Sequence, residues 1–110
     1  MISKTPTPPR ALELVRFTLH DAHAEDFLAA TESMVDTVRR HFDGLEHFSR
    51  SRLEDGSYLD LVIWRSMEHA RTAAAGVMQV PELAKLFGAI DRVVEMTHGE
   101  LALAQAFAPS

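Results

Sequence analysis

At 110 residues the chain is long enough for one domain. Its 46% hydrophobic and 25% charged residues match a folded globular composition and exclude a wholly disordered chain. Eleven Lys plus Arg against sixteen Asp plus Glu leave a net charge of −5, which argues against a nucleic-acid partner, and the lack of cysteine excludes disulfides and thiolate-ligated metals. No apolar run approaches the roughly 18 residues of a membrane span, and the start lacks the apolar stretch of a secretory signal. The expected location is therefore the cytoplasm, with no membrane partner.

Residues 1–10, with three of the five prolines, read as a flexible leader. Leu12 to His20 then alternates as a strand, with Val15, Phe17 and Leu19 on one face and Leu14, Arg16, Thr18 and His20 on the other. Asp21 is placed to cap a helix that runs to about Phe42, with its stripe at Phe27, Leu28, Met34, Val35, Val38 and Phe42. Arg39, Arg40 and His41 in its last turn and Gly44 beyond it form an ordinary exit. Leu45–Leu53 and Ser57–Trp64 are two strands joined at Glu54-Asp55-Gly56, and Asp-Gly is a strong hairpin signal. Arg50 and Arg52 read as a solvated face of that hairpin. Ser66 is placed to cap a helix through Val77, which Gly76 and Pro81 interrupt. Pro81 then opens another helix with Leu83, Leu86, Phe87 and Ile90 on its buried side. Arg92 to about Leu103 closes the sheet, and residues 105–110 form a tail. The order is βαββαβ, which predicts an α+β, ferredoxin-like domain over residues 11–104. It would be a four-stranded antiparallel sheet with its helices on one face.

Helices on one side leave the other side bare, and that side should read polar. Leu59, Leu61 and Ile63 instead share one face of the third strand, while Tyr58, Asp60, Val62 and Trp64 share the other. An apolar sheet face without helices marks an interface, so a homodimer packed sheet to sheet is expected.

Trp64, Asp60 and Tyr58 project together, and an aromatic wall with one polar group suits a flat aromatic ligand. The alternative is that Trp64 is core and Asp60 pairs with Arg16 on a neighbouring strand. His98 shares its face with Val94 and Met96 and has the titration range of a general base; His20 ends the first strand near the same mouth. Met34, Met67, Met78 and Met96 read as core filler or pliable pocket lining. His20, Asp21, His23 and Glu25 have the composition of a metal cluster but match no ligand spacing, so no metal is expected there. The chain carries no phosphate loop, nucleophile elbow or His-Glu-x-x-His.

The segment Trp64-Arg65-Ser66-Met67-Glu68-His69-Ala70 resembles the antibiotic biosynthesis monooxygenase family of dimeric α/β barrels. It has the family's strand ending in Trp, followed by Ser-x-Glu-x-Ala at a helix start. Val15-Arg16-Phe17-Thr18-Leu19, Pro81-Glu82 and His98-Gly99-Glu100 extend the resemblance from about Leu12 to Leu103. Members that oxygenate anthrone-type polyketides carry an Asn four residues before the Trp and a Tyr six after it. Asp60 and Ala70 stand at those positions here. Similar barrels that degrade haem carry an Asn, a Trp and a His where this chain has Val15, Ala73 and the apolar Leu83–Leu86 stretch. The resemblance thus implies a cofactor-independent monooxygenase of a small aromatic or quinol-like substrate, using no metal, haem or flavin. In it Trp64, Tyr58, Arg16 and His20 would bind substrate and His98 or Asp60 would act as base. The alternative is a non-catalytic, ligand-binding or stress-related dimer of the same fold, which the Asp60 and Ala70 departures favour.

Overall fold

The structure, a computed structural model, describes residues 7–108. The expected leader therefore falls partly outside the described residues, and residues 7–10 have no regular element. The strands are β1 (Ala11–Leu19), β2 (Leu45–Arg52), β3 (Tyr58–Trp64) and β4 (Ile90–Glu100). They form one antiparallel sheet in the order β2-β3-β1-β4, as the βαββαβ reading requires. Four α-helices accompany it: α1 (Ala24–Ala29), α2 (Thr31–His41), α3 (Met67–Gly76) and α4 (Pro81–Phe87).

The single helix expected from Asp21 to Phe42 is instead a 3-10 turn over Asp21–His23 followed by α1 and α2, and no side chain caps the start of α1. The break falls at Ala30. Beside it the Thr31 hydroxyl donates to the Leu28 carbonyl oxygen at 2.8 Å and accepts a bond from Arg50 on β2. A hydroxyl bonded to the backbone in this way competes with helix propagation, and here the sheet holds it in place. The other signals act locally as expected. Ser66 accepts the His69 backbone N–H at the start of α3, and Pro81 takes the first turn of α4. Gly56 has φ +87° in the hairpin turn, where Asp55 accepts from both the hydroxyl and the backbone N–H of Ser57. Those bonds, the hydroxyl first, hold the exposed Asp55 carboxyl below its ordinary range.

Strand alternation divides the sheet into two different faces. Ala11, Glu13, Val15 and Phe17 pair in register with Trp64, Val62, Asp60 and Tyr58 on the helix side. Phe17, Phe27 and Tyr58 form one packed cluster, and Trp64, Val62, Ala70 and Ala73 belong to another. The opposite face has Leu12 beside Ile63, Leu14 beside Leu61 and Arg16 beside Leu59 on the central strands. Its edge strands carry Ser49 and Ser51 on β2 and Thr97 and Glu95 on β4 at the matching positions. This face is apolar in the middle around Leu12, Leu14, Leu61 and Ile63, with Arg16 the charged residue of the central strands, and polar at both margins.

Candidate functional site

Between the helix side of the sheet and the helices lies a cavity of about 500 Å³. Glu13, Val15, Val62 and Trp64 are on its sheet wall, Val38, Ala73 and Val77 are on the opposite wall, and the flexible side chains of Met78 and Met96 also line it. Such a volume falls within the range of small-molecule sites, and its walls are mostly apolar. A larger groove of about 810 Å³ runs along the outside of α2 and β2. Glu32, Asp36, Arg39 and Glu46 line that groove, and none of its polar atoms is buried without a partner among the described residues. The apolar cavity is therefore the better candidate site.

Trp64 is only 3% exposed, and its indole N–H is buried without a hydrogen-bond partner. A buried donor left unmatched costs about 1–3 kcal/mol, so it needs a reason. Here it belongs to a residue on the cavity wall, where an acceptor brought by a ligand would satisfy it.

Asp60 also lines the cavity, but its partner differs from the one expected. Arg16 and Asp60 do not pair: Asp60 is in register with Val15, and Arg16, one residue on, points to the opposite face of the sheet. Across the hairpin Arg50 stands directly opposite Asp60. The Arg50 Nε donates to Asp60 Oδ1 at 2.7 Å and Nη2 donates to Oδ2 at 2.8 Å, the fork-to-fork arrangement that a guanidinium makes best. Its Nη1 donates to Thr31 Oγ1, and its charged plane lies 4.4 Å from the Phe27 ring centroid and 5.2 Å from that of Phe48. The side chain is 6% exposed, so the reading of Arg50 as a solvated surface residue is corrected. Of the hairpin's two arginines it is the one opposite a buried carboxylate, and pairing draws it inward.

The other expected site residues are scattered. Tyr58 is stacked on Phe17, 5.8 Å between centroids, and backs the cavity without lining it. Half-exposed His20 lies 3.7 Å from Asp91 at the end of the sheet. His98 does not line the cavity, but its Nε2 is 2.8 Å from Oε2 of Glu13, which does. Sequence reasoning missed Glu13, although an acid between Ala11 and Val15 on the core-facing side of a strand is itself a signal.

No family model matches the sequence, and no curated protein does. Solved structures do match. A protein from Bordetella bronchiseptica described as of the antibiotic biosynthesis monooxygenase type has a TM-score of 0.71 and 16% identity, over 86% of this chain and 99% of that one. SnoaB of Streptomyces nogalater, a cofactor-independent oxygenase, has a TM-score of 0.63 and 23% identity, over 92% of this chain and 99% of its own. The chain has the fold of the antibiotic biosynthesis monooxygenases. MupZ of Pseudomonas fluorescens shares that fold at a TM-score of 0.68 and 10% identity, over 99% of this chain and 96% of its own. At these identities the monooxygenase fold is what is common, and activity has to be argued from the site. Among the described residues no helix is long and apolar enough to cross a membrane.

Proposed function

We propose that this protein is a cofactor-independent monooxygenase of a small aromatic ketone or phenol and works as a homodimer. The observation that carries the reading is the unpartnered indole N–H of Trp64 on the wall of an apolar cavity. A planar aromatic with one oxygen fits that wall: its rings lie against Val15, Val62 and Ala73, and its oxygen accepts from the indole. Removal of a proton from such a ligand gives an electron-rich anion that can react with O₂. Oxidation of a ring CH₂ to a carbonyl consumes one O₂, retains one oxygen atom and releases the other as water with both substrate hydrogens. Atoms and electrons balance without an external reductant. The protein contributes orientation, exclusion of water and a base.

Of the two bases suggested by the sequence, Asp60 has both oxygens engaged by Arg50, so His98 and its partner are the better choice. The same closure of Asp60 favours the second reading, a dimer that binds an aromatic without transforming it. The homodimer is supported by the apolar centre and polar margins of the open sheet face, which is the anatomy of a protein interface.

The test is anthrone oxidation under ¹⁸O₂ with metal-depleted, flavin-free protein. The oxygenase reading expects anthraquinone to form faster than in buffer, with one O₂ consumed and one labelled oxygen in each product. Anthrone bound without any faster product formation would replace the oxygenase with the binding reading.

A further inference from the structure

We infer that Glu13 is the base of this cavity and that His98 is its positioning residue. The inference rests on the reading of the cavity as an aromatic-binding site. Glu13 sits in the middle of the sheet's helix side, paired with Val62 on β3 and His98 on β4. Its side chain is 12% exposed and its neighbour His98 is 22% exposed on the edge strand, so the carboxylate is the inner member of the pair. Oε2 meets His98 Nε2 at 2.8 Å, and Oε1 has no hydrogen-bond partner among the described residues. With a proton on Nε2, His98 donates to Oε2 and fixes the carboxylate's orientation, leaving Oε1 for the ligand. Of the other two carboxylates lining the cavity, Asp60 has both oxygens engaged by Arg50, and Asp91 is 57% exposed beside His20 at the end of the sheet.

Trp64 completes the arrangement. It is in register with Ala11, and Glu13, two residues further on, is its diagonal neighbour on the same face. Diagonal positions on adjacent antiparallel strands are about 7–8 Å apart, within the span of one ring system lying between two long side chains. An aromatic ketone whose carbonyl accepts the Trp64 N–H can thus present its acidic C–H to Glu13. In the step, the C–H bond breaks and its proton forms an O–H bond on Glu13 Oε1. The electron pair moves through the ring to the carbonyl oxygen, giving an enolate. The negative charge passes from carboxylate to enolate oxygen, where the waiting indole donor stabilises it; net charge in the cavity is unchanged. The buried acid and the buried donor, each costly alone, become two ends of one proton transfer.

Deuterium exchange at the anthrone methylene, followed by NMR under argon in D₂O, isolates this step from oxygen chemistry. Wild-type protein is expected to speed exchange above the buffer rate. Glu13→Gln is expected to lose that acceleration by roughly 10²–10⁴-fold while still perturbing the Trp64 indole signal on anthrone binding. His98→Asn keeps the carboxylate and is expected to fall between the two. Should Glu13→Gln not fold, Glu13→Asp is read instead: slowed exchange at unchanged anthrone affinity supports the assignment. Wild-type exchange in either Glu13 variant overturns Glu13 as base and leaves the binding reading standing. Wild-type protein that neither binds anthrone nor speeds its exchange overturns both.

Discussion

Arg50→Ala is expected to lower the free energy of unfolding by about 3–5 kcal/mol, because it strands a buried carboxylate whose two oxygens both depend on that guanidinium. Arg50 is also packed against Phe27 and Phe48 and bonded to Thr31, so the same change loosens the junction between α1 and α2. Urea denaturation monitored by circular dichroism measures the loss. A domain of this size has only about 5–15 kcal/mol in total, so the variant is left marginal. The control is the double variant Arg50→Met, Asp60→Leu. Removing both charges abolishes the stranded ion, and the double variant is expected to be more stable than Arg50→Ala alone. An Arg50→Ala protein as stable as wild type would mean that Arg50 does not hold β2 to β3 and to the junction of α1 and α2. Arg50→Lys is expected to recover only part of the loss, since an ammonium cannot make the two-pronged bond.

Leu61→Asp is expected to convert a dimer into a monomer. Leu61 lies on β3 between Leu14 of β1 and Ser49 of β2, in the apolar middle of the face opposite the helices. In a two-fold interface one substitution introduces two carboxylates into the buried centre, where their desolvation is costly. Light scattering should give about twice the 12.3 kDa chain mass for wild type and that mass itself for the variant. Because the side chain points away from the cavity, anthrone binding should survive if the cavity is formed within one subunit. A wild-type monomer at micromolar concentration would refute the dimer.

The sequence made the sheet legible because its signals are local. Alternation in β3 separates Leu59, Leu61 and Ile63 from Tyr58, Asp60, Val62 and Trp64, and the observed faces divide in that way. Asp-Gly, Ser66 and Pro81 each mark a turn or helix start through their own backbone chemistry. The helix break at Ala30 was not legible, because it coincides with a bond between Thr31 and Arg50, nineteen residues apart in the chain. The Arg50–Asp60 pair was available in principle. A hairpin centred on Asp55 sets residues five positions either side of it opposite one another, which puts Arg50 across from Asp60 and not in solvent. The signal for Glu13 is one of strand parity alone: it stands between Ala11 and Val15 on the face that packs against the helices. A carboxylate at a core-facing strand position carries as much information as a histidine beside it, since neither is buried there without a partner or a task. Arg16, expected beside Asp60, stands one position of strand parity away from it, which is enough to place its side chain on the other face of the sheet.

The cavity is expected to take an aromatic ligand whose oxygen accepts from Trp64. The chain has one tryptophan, so a ¹⁵N-labelled sample gives a single indole N–H resonance. Titration with anthrone under argon should move that resonance downfield to a saturable limit as the unpaired donor gains its acceptor, and Trp64→Phe should abolish the signal and weaken binding about tenfold, the worth of one buried hydrogen bond. An indole resonance that stays in place at saturating anthrone would contradict the account.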